Sequence, residues 1–194
     1  MGHKFAEIAF TNTIQQVQQK QGSRRSYASM EAGEDYNDRL SDAEATFIAE
    51  RDSFYMSSVS ETGWPYLQHR GGPAGFMRVI DQQTIGFADF RGNRQYISTG
   101  NFINNDRVAL FFMDYPNRRR LKLLGHIQQI SAEDTELLTQ LTVPNYRARV
   151  ERGFLIKVAA FDWNCPQHIN PRFSQAQVDV MMSDCTSKLN PGRT

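Results

Sequence analysis

Residues Phe87 to Phe112 read FADFRGNRQYISTGNFINNDRVALFF: an apolar strand, a short polar loop, a helix and a second apolar strand. The loop places Arg91, Gly92, Asn93, Arg94 and Gln95 where the helix begins. A helix N-terminus directs unpaired backbone N–H groups outward and carries a partial positive charge, so it favours an anion. Arginines and amides beside it make Asn93-Arg94-Gln95 a candidate phosphate cradle. The competing reading is an ordinary helix start with solvated arginines.

Working outward, period-two alternation and turn residues divide the chain into short strands. Phe54–Val59 is followed by the Glu61-Thr62-Gly63 hairpin turn and by Trp64–Gly71. Next come Phe76–Ile80, the Asp81-Gln82-Gln83 turn and Thr84–Phe90. The helix after them sets Tyr96, Ile97, Gly100 and Ile103 on one face, at the 3.6-residue period. Arg107–Met113 is apolar on both faces and predicts a central strand buried on both sides. Leu121–Ile130 follows the Tyr115-Pro116-Asn117 turn, a helix is expected over Ala132–Leu141, and Phe154–Phe161 is the last strand. Six or seven strands joined by hairpin-length turns imply antiparallel neighbours, hence a mainly β fold, a β-barrel with peripheral helices.

Ser41 and Glu44 form a capping box that opens a short helix. Before it, residues 1–40 read as a polar N-terminal arm with one short helix, Thr11–Lys20, and an extended, surface-wrapping tract SRRSYASMEAGEDYNDR. Residues 41–194 form the main domain, closed by a terminal helix over about Ser174–Lys188.

The balance of 22 basic and 21 acidic side chains argues against a general nucleic-acid binder or membrane-surface binder. No segment approaches the roughly 20 apolar residues of a membrane span, and the N-terminus lacks a signal-peptide pattern. A cytoplasmic protein with Cys165 and Cys185 reduced is expected. His3, His69, His126 and His168 are scattered without partners at metal-ligand spacing, and no metal is expected. Walker, GxGxxG, GxSxG and HExxH motifs are absent.

Two further segments carry candidate chemistry. Alternation along Trp64–Gly71 puts Gln68 and Arg70 on one face and His69 and Gly71 on the other, either around a ligand or on a solvated surface. Phe161–Ile169, FDWNCPQHI, gathers Trp163, Asn164, Gln167 and His168, which suit either a planar heteroaromatic ring or a core tryptophan beside a polar turn. Arg118-Arg119-Arg120 reads either as a solvated loop or, since alternation turns Arg119 and Arg120 to opposite faces, as the source of one arginine for a site.

Taken in order, WPYLQHRGG, IGFADFRGNRQYISTGN, NNDRVALFF and RRRLKLLGHI resemble the FMN-binding split-barrel proteins of the pyridoxamine 5′-phosphate oxidase-like superfamily. The resemblance spans about Ser41–Phe161. It implies a six-stranded antiparallel split barrel that forms a homodimer with FMN between the subunits. By position it assigns Gln68, His69, Arg70 and Gly71 to the flavin and ribityl chain, with Asp89 and Phe90 following. Asn93, Arg94 and Gln95 stand where the family binds phosphate. Arg119 or Arg120 meets the flavin ring, plausibly from the second subunit, and Trp163, Asn164, Gln167 and His168 close the site. Gln68 and Gln95 replace basic residues of the pattern, and the C-terminal Trp–Arg-x-His substrate motif is missing, which puts vitamin B6 oxidation in doubt.

The resemblance thus implies an FMN-dependent oxidoreductase acting on a small molecule that the residues do not identify. His168 is the candidate proton-transfer group, although no residue stands out for that role. The alternatives are a flavin-binding protein without turnover, such as a redox sensor, or a related split barrel that uses haem or deazaflavin.

Overall fold

Alternating apolar residues between polar turns build one antiparallel sheet. The structure, a computed structural model, describes residues 2–33, 36–163 and 165–189, without the side chains of residues 184–189. The strands are β1 (Ser53–Val59), β2 (Pro65–Gly71), β3 (Met77–Asp81), β4 (Thr84–Phe90), β5 (Arg107–Asp114), β6 (Arg119–Ile130) and β7 (Val150–Trp163). They number seven where the resemblance implied six, in the order β2-β1-β5-β6-β7-β4-β3. The sheet curls until its two ends meet. Phe54 of β1 lies 5.4 Å from Phe87 of β4 and 5.6 Å from Phe76 just before β3. Phe112 and Phe154 complete a fully buried phenylalanine core inside the barrel.

The hairpin between β1 and β2 needs Gly63, whose φ of +83° lies in the left-handed region. At the end of β2 a second glycine permits a close approach. A Cβ on Gly72 would lie 2.8 Å from Phe76 and 3.1 Å from Phe90.

Helix α4 (Asp42–Ala49) bears out the capping box. The Ser41 amide and hydroxyl both donate to Glu44 Oε2, at 2.9 Å and 2.5 Å. Glu44 also receives the Trp163 indole N–H on Oε1 at 2.7 Å, tying the helix to the end of β7. Phe47 of the same helix meets the Trp163 ring edge-on at 4.7 Å. Helices α5 (Ile97–Asn104), α6 (Thr135–Leu141) and α7 (Gln175–Leu189) follow later in the chain. Among the described residues no helix is long and apolar enough to cross a membrane.

Two expectations are revised, and one helix is oriented. The N-terminal arm holds three short helices, α1 (Lys4–Ala9), α2 (Asn12–Lys20) and α3 (Arg24–Glu31), rather than one followed by an extended tract. A two-pronged pair between Arg24 and Glu31, at 2.7 Å and 2.6 Å, and the Phe10–Tyr27 ring contact at 5.2 Å hold α3 as a helix. In α5 the face of Ile97 and Ile103 is exposed, whereas Ser98 and Asn101 are buried and Phe102 packs edge-on against Phe154 of the core at 5.4 Å. Finally, β5 buries one face, Val108, Leu110, Phe112 and Asp114, and leaves Ala109, Phe111 and Met113 half-buried on the outer surface.

Burial pushes the Glu44 carboxyl up, but the bonds from Ser41 and Trp163 outweigh it and hold the group below its ordinary 4.5. A carboxylate held low contributes stability above its unfolded value, and that contribution is lost as pH falls through the folded one. Glu44→Gln should therefore lower stability at pH 7 by about 1–2 kcal/mol and flatten the loss of stability on acidification below about pH 5. Urea unfolding of both proteins across that range measures it, and equal slopes against pH would contradict the assignment.

Candidate functional site

Where the two ends of the sheet meet, side chains from β2, β4, α5 and β7 enclose a cleft of about 180 Å³. Alternation along β2 turns Tyr66, Gln68 and Arg70 inward and leaves Leu67 and His69 exposed on the other side. Arg70 Nη1 donates to Asp89 Oδ1 on β4, and Asp89 Oδ2 lies 3.4 Å from Arg152 Nε on β7. Register places Asp89 directly opposite Arg152, so one buried carboxylate lies between two guanidinium groups. Burial pushes the Asp89 carboxyl above its ordinary value, against the pull of Arg70 and Arg152.

The opposite wall is the loop leading into α5. Asn93 Oδ1 accepts the Gln95 amide at 3.1 Å, forming an Asx turn. Arg94 and Tyr96 both take left-handed backbone angles, with φ of 63° and 54°. That kinked entry brings the helix start to the cleft without any side-chain cap on its first N–H groups. Gly92, Asn93, Arg94, Gln95, Ile97, Ser98 and Thr99 line it. The Ser98 hydroxyl donates to the Gln68 side-chain oxygen at 2.7 Å, leaving the Gln68 amide nitrogen as a donor. Asn101 donates to Ser58 at 2.9 Å and anchors α5 on β1.

In and beside the cleft stand Arg70, Arg91, Arg94 and Arg152, against the carboxylates of Asp89 and Glu151. Arg70 Nε is buried with no hydrogen-bond partner. No Cβ added to Gly92 would meet anything within 4 Å, so the loop leaves open space there. Surplus cations, uncapped helix amides and hydroxyls are the donor set that a phosphate monoester requires. The residues fit such a group. Among the described residues no cluster of three or more His, Cys, Asp or Glu could hold a metal ion.

Thus the structure brings Gln68, Arg70, Asp89, Phe90, Asn93, Arg94 and Gln95 together around one cleft. It places the other candidates elsewhere on the subunit. His69 faces outward against the Tyr55 ring at 5.5 Å, and Gly71 shares that side. The Arg119 guanidinium lies 4.7 Å over the Trp163 ring and 5.2 Å over Phe47. Arg120 takes the opposite face, 6.0 Å over Phe111. Trp163 is bonded to Glu44, while Gln167 and His168 are exposed. Asn164 lies outside the described residues. Cys165 is exposed and free, and the side chain of Cys185 is among those not described.

Sequence reading missed Tyr66, Ser98, Thr99, Glu151 and Arg152. The last two precede the strand predicted over Phe154–Phe161, which in the structure already begins at Val150. A charged Glu-Arg pair just before an apolar run was the available signal.

Comparison with known proteins agrees with this architecture. The family model described as pyridoxamine 5′-phosphate oxidase matches residues 40–162. Among solved structures, HupZ of Group A Streptococcus superposes with a TM-score of 0.50 at 15% identity, over 69% of this chain and 99% of its own. An FMN-binding protein of Syntrophomonas wolfei gives a TM-score of 0.48 at 10% identity, over 79% of this chain and 98% of its own. No curated protein matches the chain. With the match covering well over half of its length and the curled antiparallel sheet in place, the chain belongs to the pyridoxamine 5′-phosphate oxidase family.

Proposed function

We propose that this protein binds FMN as a homodimer and works in the cytoplasm as an FMN-dependent oxidoreductase on a small molecule. The observation that carries the reading is the convergence of Arg70, Arg94 and the uncapped start of α5 on one cleft. In this reading the phosphate sits against Arg94 and the first amides of α5, while Gln68, Ser98 and Thr99 face the ribityl hydroxyls. A cleft of about 180 Å³ accommodates the phosphate end and leaves the flavin ring to be covered from outside the subunit. When bound, FMN supplies the electron-transfer chemistry, and the protein's part is to orient it and set the charge around it.

The ring's cover is proposed to be a second copy of the chain. The outer face of β2, β1, β5 and β6 carries an apolar groove of about 520 Å³, with Tyr55, Leu67, Phe111, Met113 and Leu124 among its lining. A contiguous apolar patch of this kind supports an interface. Arg120 stands on this same outer face beside Phe111, with its Nε buried and without a partner, whereas Arg119 is occupied by Trp163 and Phe47. Arg120 is therefore the one proposed to approach the flavin of the other subunit, where a cation stabilises negative charge that develops on reduction.

Two outcomes test the reading. Arg94→Ala should weaken FMN binding by about 1.5–3 kcal/mol, the range for a hydrogen bond to a charged group. Fluorescence titration reads it, and unchanged affinity would remove Arg94 from the site. Phe111→Asp should give a monomer by light scattering and lose FMN affinity in parallel, because a ligand held by both subunits stabilises the pair. A Phe111→Asp monomer with undiminished affinity would place the whole cofactor site within one chain.

A further inference from the structure

Glu151 sits where no strand position should put it. Pairing between β4 and β7 joins Asp89 to Arg152 and Phe90 to Val150, so Glu151 is the extra residue of a bulge. A bulge redirects side chains that would otherwise alternate across the sheet. Here it lets Glu151 and its immediate neighbour Arg152 meet, with Arg152 Nη2 donating to Glu151 Oε2 at 3.1 Å.

From that position the carboxylate meets two of the four arginines directly and a third through Tyr96. Its Oε1 lies 3.6 Å from Arg91 Nε, and it accepts the Tyr96 hydroxyl at 3.2 Å. Tyr96 in turn accepts from Arg94 Nε at 3.3 Å, and the Arg152 guanidinium lies 4.9 Å over the Tyr96 ring. Glu151 itself lines the cavity. Asp89 is placed differently, deeper and locked between Arg70 and Arg152.

We infer that Glu151 is a built-in counter-anion of the cleft: its carboxylate holds the cations that a ligand's phosphate would hold, and the phosphate must displace it to bind. The inference rests on the phosphate-cradle reading but not on the identity of the rest of the ligand. It makes Glu151 a specificity determinant. A doubly charged phosphate competes with the carboxylate for Arg91 and Arg152, and for Arg94 through the Tyr96 hydroxyl, whereas a singly charged anion gains little by replacing one carboxylate with another. A purely structural Glu151, one that merely holds the arginines in position, would have the opposite effect on binding when neutralised.

The test uses the full-length protein with inorganic phosphate as probe, followed by calorimetry, alongside a separate titration with FMN. Glu151→Gln keeps an acceptor for Tyr96 but removes the competing charge, and phosphate should bind about tenfold tighter, with FMN following in the same direction. Unchanged or weaker phosphate binding overturns the inference. Should Glu151→Gln fail to fold, Glu151→Asp draws the carboxylate back by one methylene and should tighten phosphate by a smaller factor; no gain there overturns it equally. Phosphate tightened by Glu151→Gln in a protein that takes up no FMN would uphold the counter-anion and sink the flavin reading. Wild-type protein that binds FMN with no response to Glu151→Gln would do the reverse.

Discussion

The ion-pair chain Arg70–Asp89–Arg152 joins the neighbouring strands β4 and β7 to β2, which the sheet order keeps apart from them. β2 is one edge of the sheet, β4 lies next to the other edge, and β7 is its inner neighbour. Burying a carboxylate between guanidinium groups is a poor source of net stability, because desolvation offsets most of the attraction. Its effect is geometric. Once the sheet curls over its phenylalanine core, a lone Asp89 would be a buried, unpaired charge, so the closed arrangement must keep both arginines in place. The Arg70 guanidinium also lies 5.7 Å over Phe87, which fixes the same contact from the apolar side. The cleft is the polar rim of that closure, and its position follows from where the two ends of the sheet meet.

The loop into α5 adds what the ion pairs do not. Two departures into left-handed backbone separated by a single residue, at Arg94 and Tyr96, are uncommon for residues with side chains. Strain of this sort persists where the surroundings hold it, and it marks candidate sites. Here it turns the helix start towards the cleft and swings Arg94 to the Tyr96 hydroxyl, joining the loop to β7 through Glu151.

Much of the architecture was legible in the sequence because it is local. Thr84–Phe90 appears with the expected bounds, the capping box at Ser41 and Glu44 forms, and the turn at Gly63 adopts the backbone that only glycine takes easily. The loop from Asn93 to Gln95 stood out because donors, a glycine and a helix start coincide within a few residues. What stayed hidden depends on pairing across long separations. Arg152 faces Asp89 from 63 positions away, and nothing local marks either as the other's partner. The orientation of α5 is hidden for a related reason. Its inner side combines Phe102 against Phe154 with bonds from Ser98 to Gln68 and from Asn101 to Ser58, and Ile97 and Ile103 are left outside. Apolar periodicity cannot tell which apolar residues of such a helix pack on the core and which are left open to another molecule.

Those outward isoleucines, the half-buried outer face of β5 and the unpartnered Nε of Arg120 share one consequence. In the proposed reading the exposed apolar surface and the unspent donors are met by a second chain, and the cleft would take only the smaller end of the mononucleotide. Native mass spectrometry of the purified chain tests this most directly. The account predicts a species of two chains carrying two FMN molecules. A monomer that remains free of FMN after incubation with an excess of it would contradict the account.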